Sequence, residues 1–195
     1  MLHSLIQLDT RILLFINGHH APFFDTLMLA ISGNILWLPL YAYVLYLIFR
    51  DNGWYGFYTL LFVALAITLA DQTSVRLFKN IFMRPRPCWE PSVKELLHMV
   101  KFCGGKYGFV SSHAANSFAV MAFILSVFKN RVPLLTWMMW IWALLIIYSR
   151  VYLGVHYPGD VLAGALLGFL LGKLGYWLYV KSKRRLWPDR FSRID

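Results

Sequence analysis

The sequence has few charged residues, very little cysteine and no nucleotide-binding motif. Charged side chains make up 14% of the 195 residues, and two residues are cysteine. There is no basic start followed by a small-residue cleavage site, so we expect no cleavable signal peptide. Because a glycine-rich phosphate loop and a nucleic-acid motif are also missing, we expect neither a nucleotide cofactor nor a nucleic-acid partner.

Spacing in the sequence also predicts no metal site. His19 and His20 are adjacent, so their side chains point to different faces. No cysteine or carboxylate spacing completes a ligand set around them. We therefore expect no metal and no other cofactor.

Apolar residues dominate the chain instead. They make up 59% of it, and the mean hydropathy is +0.57. A membrane span needs about 20 mostly apolar residues. Runs of this kind occur at 23–49, 54–78, 109–128, 133–148 and 161–180. We predict a single all-α integral membrane domain over residues 1–195, with about five transmembrane helices.

The first residues have a different pattern. In 1–17, polar side chains such as Gln7 and Arg11 fall near one helical face, and apolar side chains such as Leu8 and Ile12 fall on another. This pattern predicts an N-terminal helix that lies in the membrane interface.

Basic residues in the short links predict the orientation. The net charge is +10, which on a membrane protein suggests contact with anionic lipid headgroups. Arg50 and Arg131 lie in links on one side, and the basic tail 181–195 shares that side. The positive-inside rule makes this side cytoplasmic, although the opposite side also carries cations. The link 79–108 is then expected to face the periplasm or exterior of a bacterial-type cytoplasmic (inner) membrane.

Cys88 and Cys103 both lie in this link. An outward-facing link sits in an oxidising compartment, so we expect a disulfide that closes it. By chain entropy, closing a loop of this size stabilises the fold by roughly 3 kcal/mol. The alternative is two free, packed thiols.

Three short stretches at the ends of the predicted spans carry charged and reactive side chains. The first is Lys79-x6-Arg86-Pro87. Arginine offers a planar fork and lysine a point charge for phosphate oxygens. Alternatively, the two are interface cations that reach lipid headgroups.

The second stretch, Ser111-Ser112-His113, opens the third span. A serine at a helix start caps free backbone N–H groups, and the same N–H groups attract anions. His113 is then placed to protonate a leaving oxygen. The alternative is an ordinary cap with a surface histidine.

The third stretch, Ser149-Arg150-x5-His156-x3-Asp160, joins the fourth and fifth spans. A carboxylate that is hydrogen-bonded to one ring nitrogen makes the other nitrogen more nucleophilic. The alternative is a purely structural hydrogen bond between His156 and Asp160. Further along, Gly164, Gly168 and Gly172 form a small-residue stripe that predicts close helix packing, within the chain or with a second protomer.

These stretches resemble the motifs of the type 2 phosphatidic acid phosphatase superfamily, which are K-x6-RP, PSGH and SR-x5-H-x3-D. The first and third match at every specified position. In the second, Val110 stands where the family has proline and Ser112 where it has glycine, while Ser111 and His113 are kept.

The resemblance implies a metal-independent phosphatase that works through a phosphohistidine. His156 would attack phosphorus, Asp160 would orient it, and His113 would protonate the leaving group and later activate water. The remaining matched residues would hold the phosphate, and they are Lys79, Arg86, Arg150, Ser111 and Ser112.

The expected substrate is a membrane lipid phosphate. The family suggests undecaprenyl diphosphate, phosphatidylglycerophosphate, phosphatidic acid and the phosphates of lipid A. One alternative is a non-catalytic binder or transporter of anionic lipid. Another is vanadate haloperoxidase chemistry, but that enzyme type is soluble. The sequence assigns no oligomeric state.

Overall fold

The computed structural model describes residues 2–100, 102–129 and 131–187, and in this part of the chain the regular elements are helical. Three stretches are long and apolar enough to cross a membrane: Ile35–Phe82, Pro133–Tyr152 and Pro158–Leu186. This confirms the predicted all-helical membrane class. The main helices are α1 (Leu2–Gly18), α2 (Pro22–Ser32), α3 (Leu38–Asn52), α4 (Gly56–Thr73), α5 (Ser112–Phe128), α6 (Pro133–Tyr152) and α7 (Pro158–Leu186).

The first of these stretches, Ile35–Phe82, contains a turn. Gly53 has a φ of 53°, which a residue with a side chain rarely adopts, and it ends α3. A Cβ on Gly56 would lie 2.7 Å from the Phe49 ring, so the start of α4 lies close against the end of α3. The stretch therefore holds two helices, α3 and α4.

The run 23–49 was expected to be one span, but the structure divides it. Gly33 is extended and ends α2, and its N–H bonds to the carbonyls of Leu29 and Ala30. A short 3₁₀ turn, Ile35–Trp37, follows, and then α3 begins with Pro39 in its first turn. Because proline has no N–H to donate, α2 cannot run through this point into α3.

Helices α5 and α7 touch along their backbones. A Cβ added at Gly164, Gly168 or Gly172 would overlap a main-chain carbonyl oxygen of α5 or of its cap. The oxygens belong to Ser111, Ala115 and Ala119. The predicted glycine stripe therefore packs within the chain.

Helix α1 lies against the rest of the molecule along one side. Leu13 and Asn17 are buried, whereas Leu5, Leu8 and Phe15 are more than half exposed. Its interfacial position stays a prediction. Helix α7 extends to Leu186, so it includes the beginning of the predicted basic tail. The end of that tail, 188–195, lies outside the described residues.

Candidate active site

The three motifs meet where α4, α5, α6 and α7 come together at one end of the bundle. The chain beyond α4 continues as a π-helical segment, Ser74–Lys79. Such segments put an extra residue into a turn and occur often at functional sites. Lys79 closes this segment beside the start of α5.

Lys79 is held by a chain of hydroxyl groups. Its Nζ donates to Ser112 Oγ at 2.6 Å, and Ser112 Oγ lies 2.7 Å from Ser74 Oγ. Ser74 donates its own proton to the carbonyl of Asp71 at 2.8 Å, so Ser112 is the donor to Ser74. The serine that replaces the family glycine therefore has a defined partner, which the π-helical segment supplies.

Arg86 is fixed by the link that carries it. Its N–H donates to the carbonyl of Lys106 at 2.9 Å, and its guanidinium donates to the carbonyl of Cys103 at 3.0 Å. The structure pairs Cys103 with Cys88, whose Cα atoms are 6.1 Å apart, a separation that a disulfide spans. Burial lowers the pKa of Arg86, and nearby Asp160 partly offsets this effect.

Arg150 is buried at the end of α6, with 6% of its surface exposed. Its guanidinium donates to the hydroxyl of Ser32 in α2. Its Nε has no hydrogen-bond partner among the described residues. A buried guanidinium with a spare donor is suited to an anion, because burying an unpaired cation is otherwise costly.

His156 is 1% exposed and lies in the turn between α6 and α7. Burial, and then the charges of Arg86, Arg150 and Lys79, hold the pKa of His156 well below its ordinary value of 6.5. The imidazole is therefore neutral, which is the form that acts as a nucleophile.

The expected hydrogen bond between His156 and Asp160 is not formed in this structure, where His156 Nδ1 has no hydrogen-bond partner among the described residues. His156 Nδ1 lies 3.5 Å from Asp160 Oδ2, whereas such bonds are usually about 2.7 to 3.2 Å. The carboxylate has other partners: Oδ2 accepts the N–H of Tyr157 at 3.1 Å, and Oδ1 accepts from Arg84 at 2.8 Å. Asp160 faces the ring but is held mainly by these two groups.

Arg84 and Asp9 were not singled out from the sequence. Arg84 donates to Asp160 at 2.8 Å and to Asp9 of α1 at 2.6 Å, and it stacks 4.1 Å from the Tyr157 ring centre. Asp9 also accepts the N–H of Gly159 at 2.7 Å. The sequence offered one signal for each residue: Arg84 lies inside the first motif, and Asp9 is one of the nine acidic residues of the chain.

Ser111 is buried and links two helices. Its N–H donates to the carbonyl of Asp160 at 3.0 Å. Its hydroxyl caps α5 by accepting the N–H of Ala114 at 3.5 Å. The backbone N–H of Ser111 is therefore already used, and it joins the start of α5 to the start of α7.

His113 is exposed and lines a cavity of about 650 Å³. The polar end of the cavity also includes Asp71, Ser112 and Ser32. Ser112 bonds to Lys79 and Ser32 to Arg150, so this end adjoins the motif cations. The remaining walls come from α3, α4, α5 and α6 and are mostly apolar.

Among the described residues, one set of side chains could hold a metal ion. Spacing in the sequence predicts none, but the fold brings His20, Asp25 and His98 together, with ligand atoms within 4.8 Å of one another. Their hydrogen bonds run to Tyr152 and Asn17, which lie outside the three motifs.

Residues 54–184 match the family model described as the PAP2 superfamily. A lipid A 4'-phosphatase of Bacteroides thetaiotaomicron is 38% identical over 192 residues, which cover 97% of this chain and 84% of that protein. A lipid A 4'-phosphatase of Porphyromonas gingivalis is 30% identical over 183 residues, which cover 93% of this chain and 77% of that protein.

The fold is similar to that of a solved protein. The crystal structure of a transmembrane PAP2 type phosphatidylglycerolphosphate phosphatase from Bacillus subtilis superposes with a TM-score of 0.65 and 25% identity. The match covers 96% of this chain and 89% of that one.

Proposed function

The chain belongs to the PAP2 superfamily, and from this premise and the site geometry we propose that it hydrolyses a phosphate on a membrane lipid through a phosphohistidine. The observation that carries the proposal is His156. It is a buried, neutral imidazole that faces a carboxylate and is surrounded by the charges of Lys79, Arg86 and Arg150.

In the first step His156 attacks phosphorus. Because Nδ1 faces Asp160, Nε2 is the attacking atom. A P–N bond forms as the P–O bond to the lipid breaks, and His113 gives its proton to the leaving oxygen. The cations stabilise the charge that develops on the phosphoryl oxygens.

In the second step His113 takes a proton from water, and the resulting oxygen attacks the phosphohistidine. A P–O bond forms and the P–N bond breaks, which releases inorganic phosphate and restores His156. Each group returns to its starting protonation state. These steps need no metal ion.

The substrate enters from the bilayer in this proposal. The cavity beside His113 is polar where it adjoins the motif cations and apolar along α3, α4, α5 and α6. Such a cavity suits a phosphate headgroup at one end and a hydrocarbon chain along the rest. Lipid A phosphate is the first candidate, since both curated relatives described above are lipid A 4'-phosphatases. Phosphatidylglycerophosphate is the second, from the solved neighbour.

We place the site on the periplasmic or exterior face. The basis is the positive-inside rule applied to Arg50, Arg131 and the basic end of α7. A reporter fused to the C-terminus is expected to be inaccessible from outside intact cells. Labelling of that reporter by an impermeant reagent would overturn this orientation.

The test of the reaction is phosphate release by purified protein in detergent micelles with lipid A, phosphatidylglycerophosphate and undecaprenyl diphosphate, each with excess chelator. Activity is expected to survive the chelator and to vanish in His156→Ala. With lipid phosphate labelled in the phosphoryl group, an acid-labile label on the wild-type protein is expected, and none on the variant. Full phosphate release by His156→Ala would end the mechanism, and lipid binding without release would favour the non-catalytic alternative.

A further inference from the structure

Three potential metal ligands from separate segments meet on the side of the molecule that carries the motifs. His20 lies between α1 and α2, Asp25 is in the first turn of α2, and His98 belongs to the long link 79–108. Their ligand atoms lie within 4.8 Å of one another, and His98 Nε2 is 2.9 Å from Asp25 Oδ2. We propose that this cluster binds one zinc ion, which ties the link to α2.

The donor types select the ion. Two imidazole nitrogens and one carboxylate suit zinc, whereas magnesium and calcium prefer oxygen ligands. Three protein ligands leave a fourth tetrahedral position for water. The site is separate from the phosphatase chemistry, because none of its ligands belongs to the three motifs.

The surrounding residues hold two of the ligands in place. Tyr152 donates its hydroxyl proton to Asp25 Oδ1 at 2.8 Å, which leaves Oδ2 facing His98. Asn17, 1% exposed, accepts the N–H of His98 at 2.8 Å and donates to the carbonyl of His98 at 2.9 Å. Such outer contacts orient metal ligands and raise affinity.

His20 is the ligand that must move. Its ring stacks on His98 at 3.6 Å between centres, with 6° between the planes. An imidazole lone pair lies in the ring plane, so two stacked rings cannot aim at one ion. His20 is exposed on a short link, and rotation of its side chain opens the stack.

Binding has a defined proton balance. The hydrogen bond between His98 Nε2 and Asp25 places a proton on the atom that the ion would take. When the ion binds Nε2, the neutral ring carries its one proton on Nδ1 instead, so the imidazole itself releases no proton.

The test uses full-length protein that carries an affinity tag without histidine. After treatment with chelator and desalting, zinc is added and the bound metal is measured by equilibrium dialysis and elemental analysis. We expect one zinc per chain in the wild type and at least tenfold weaker binding in His20→Gln. The matched control is His19→Gln, which changes the neighbouring exposed histidine and should bind zinc as the wild type does.

Thermal unfolding gives a second measurement. Zinc at about 100 times its dissociation constant is expected to raise the unfolding midpoint by roughly 5 °C or more, and magnesium is not. His156→Ala should keep both the zinc and this shift, which separates the cluster from the active site. If no zinc binds, or if His20→Gln binds zinc as tightly as the wild type, the proposal is wrong. Loss of zinc in His156→Ala would assign the ion to the active site instead and also overturn it.

Discussion

Replacing Arg84 with alanine tests how Asp160 is held in place. Arg84 joins Asp160 at 2.8 Å to Asp9 at 2.6 Å, and 26% of its side chain is exposed. Burial lowers the pKa of Arg84, but Asp160 and Asp9 outweigh this effect and raise the pKa above its ordinary value. The guanidinium therefore stays charged, and its removal leaves Asp160 without its ion-pair partner.

The size of the effect follows from these two bonds. A hydrogen bond to a charged group contributes about 1.5 to 3 kcal/mol. Since Arg84 is partly exposed, we count one such contribution for the pair of bonds rather than two. At about 1.4 kcal/mol per tenfold change, kcat is expected to fall about 10- to 150-fold in Arg84→Ala.

The same bridge can be tested from its other end. Asp9→Asn keeps an acceptor for the N–H of Gly159 but loses the charge that faces Arg84. We expect a smaller loss than in Arg84→Ala. Because both residues act through one bridge, the losses in the double variant should be less than additive.

The assay is phosphate release at varied lipid concentration, with kcat and KM reported separately. A positioning role predicts that kcat falls while KM for the lipid stays within about threefold, and that Arg84→Lys recovers part of kcat. The control is Arg76→Ala, an exposed arginine just before Lys79. A folded Arg84→Ala variant with kcat within threefold of the wild type would refute the reasoning.

Further predictions concern the nucleophile, the link and the second motif. Because the pKa of His156 is held below 6.5, His156 should stay neutral at pH 6.5 and above. The fall in kcat that protonation of His156 causes at acidic pH should therefore have its midpoint below pH 6.5. An NMR titration of the His156 ring with a midpoint at or above pH 6.5 would contradict this. Alkylation without reduction should leave Cys88 and Cys103 unmodified, and a mass shift for two alkyl groups would exclude the disulfide. Ser112→Ala should lower the free energy of unfolding by about 1 kcal/mol, because it breaks the hydrogen bonds that join Lys79 to Ser74 through Ser112. An unchanged unfolding midpoint would show that these hydrogen bonds do not stabilise the fold.

Hydropathy and motif spacing predict much of this architecture. The apolar runs locate α4 to α7 closely, because burial in lipid requires long apolar segments. Successive spans cross the membrane in opposite directions. Lys79 follows the second span, Ser112 opens the third and Asp160 precedes the fifth, so the three residues were expected to share one end of the bundle. The family resemblance is confirmed by the match over residues 54–184.

Other features depend on contacts that spacing does not encode. The division at Gly33 interrupts a run that is uniformly apolar, because hydropathy does not report backbone conformation. The bonds from Arg150 to Ser32 and from Arg84 to Asp9 join residues more than 70 positions apart. The grouping of His20 with Asp25 and His98 arises in the same way.

The backbone contact between α5 and α7 has a consequence for how the site can diversify. Glycines at 164, 168 and 172, with the bond from Ser111 to Asp160, leave no room for one helix to shift against the other. The second motif and Asp160, which faces His156, thus form one rigid frame. Selection of the lipid chain can then change through α3 and α4, which line the apolar part of the cavity, while the reacting groups keep their positions. Substitutions in these two helices can therefore change the lipid that fits without disturbing the contact between α5 and α7.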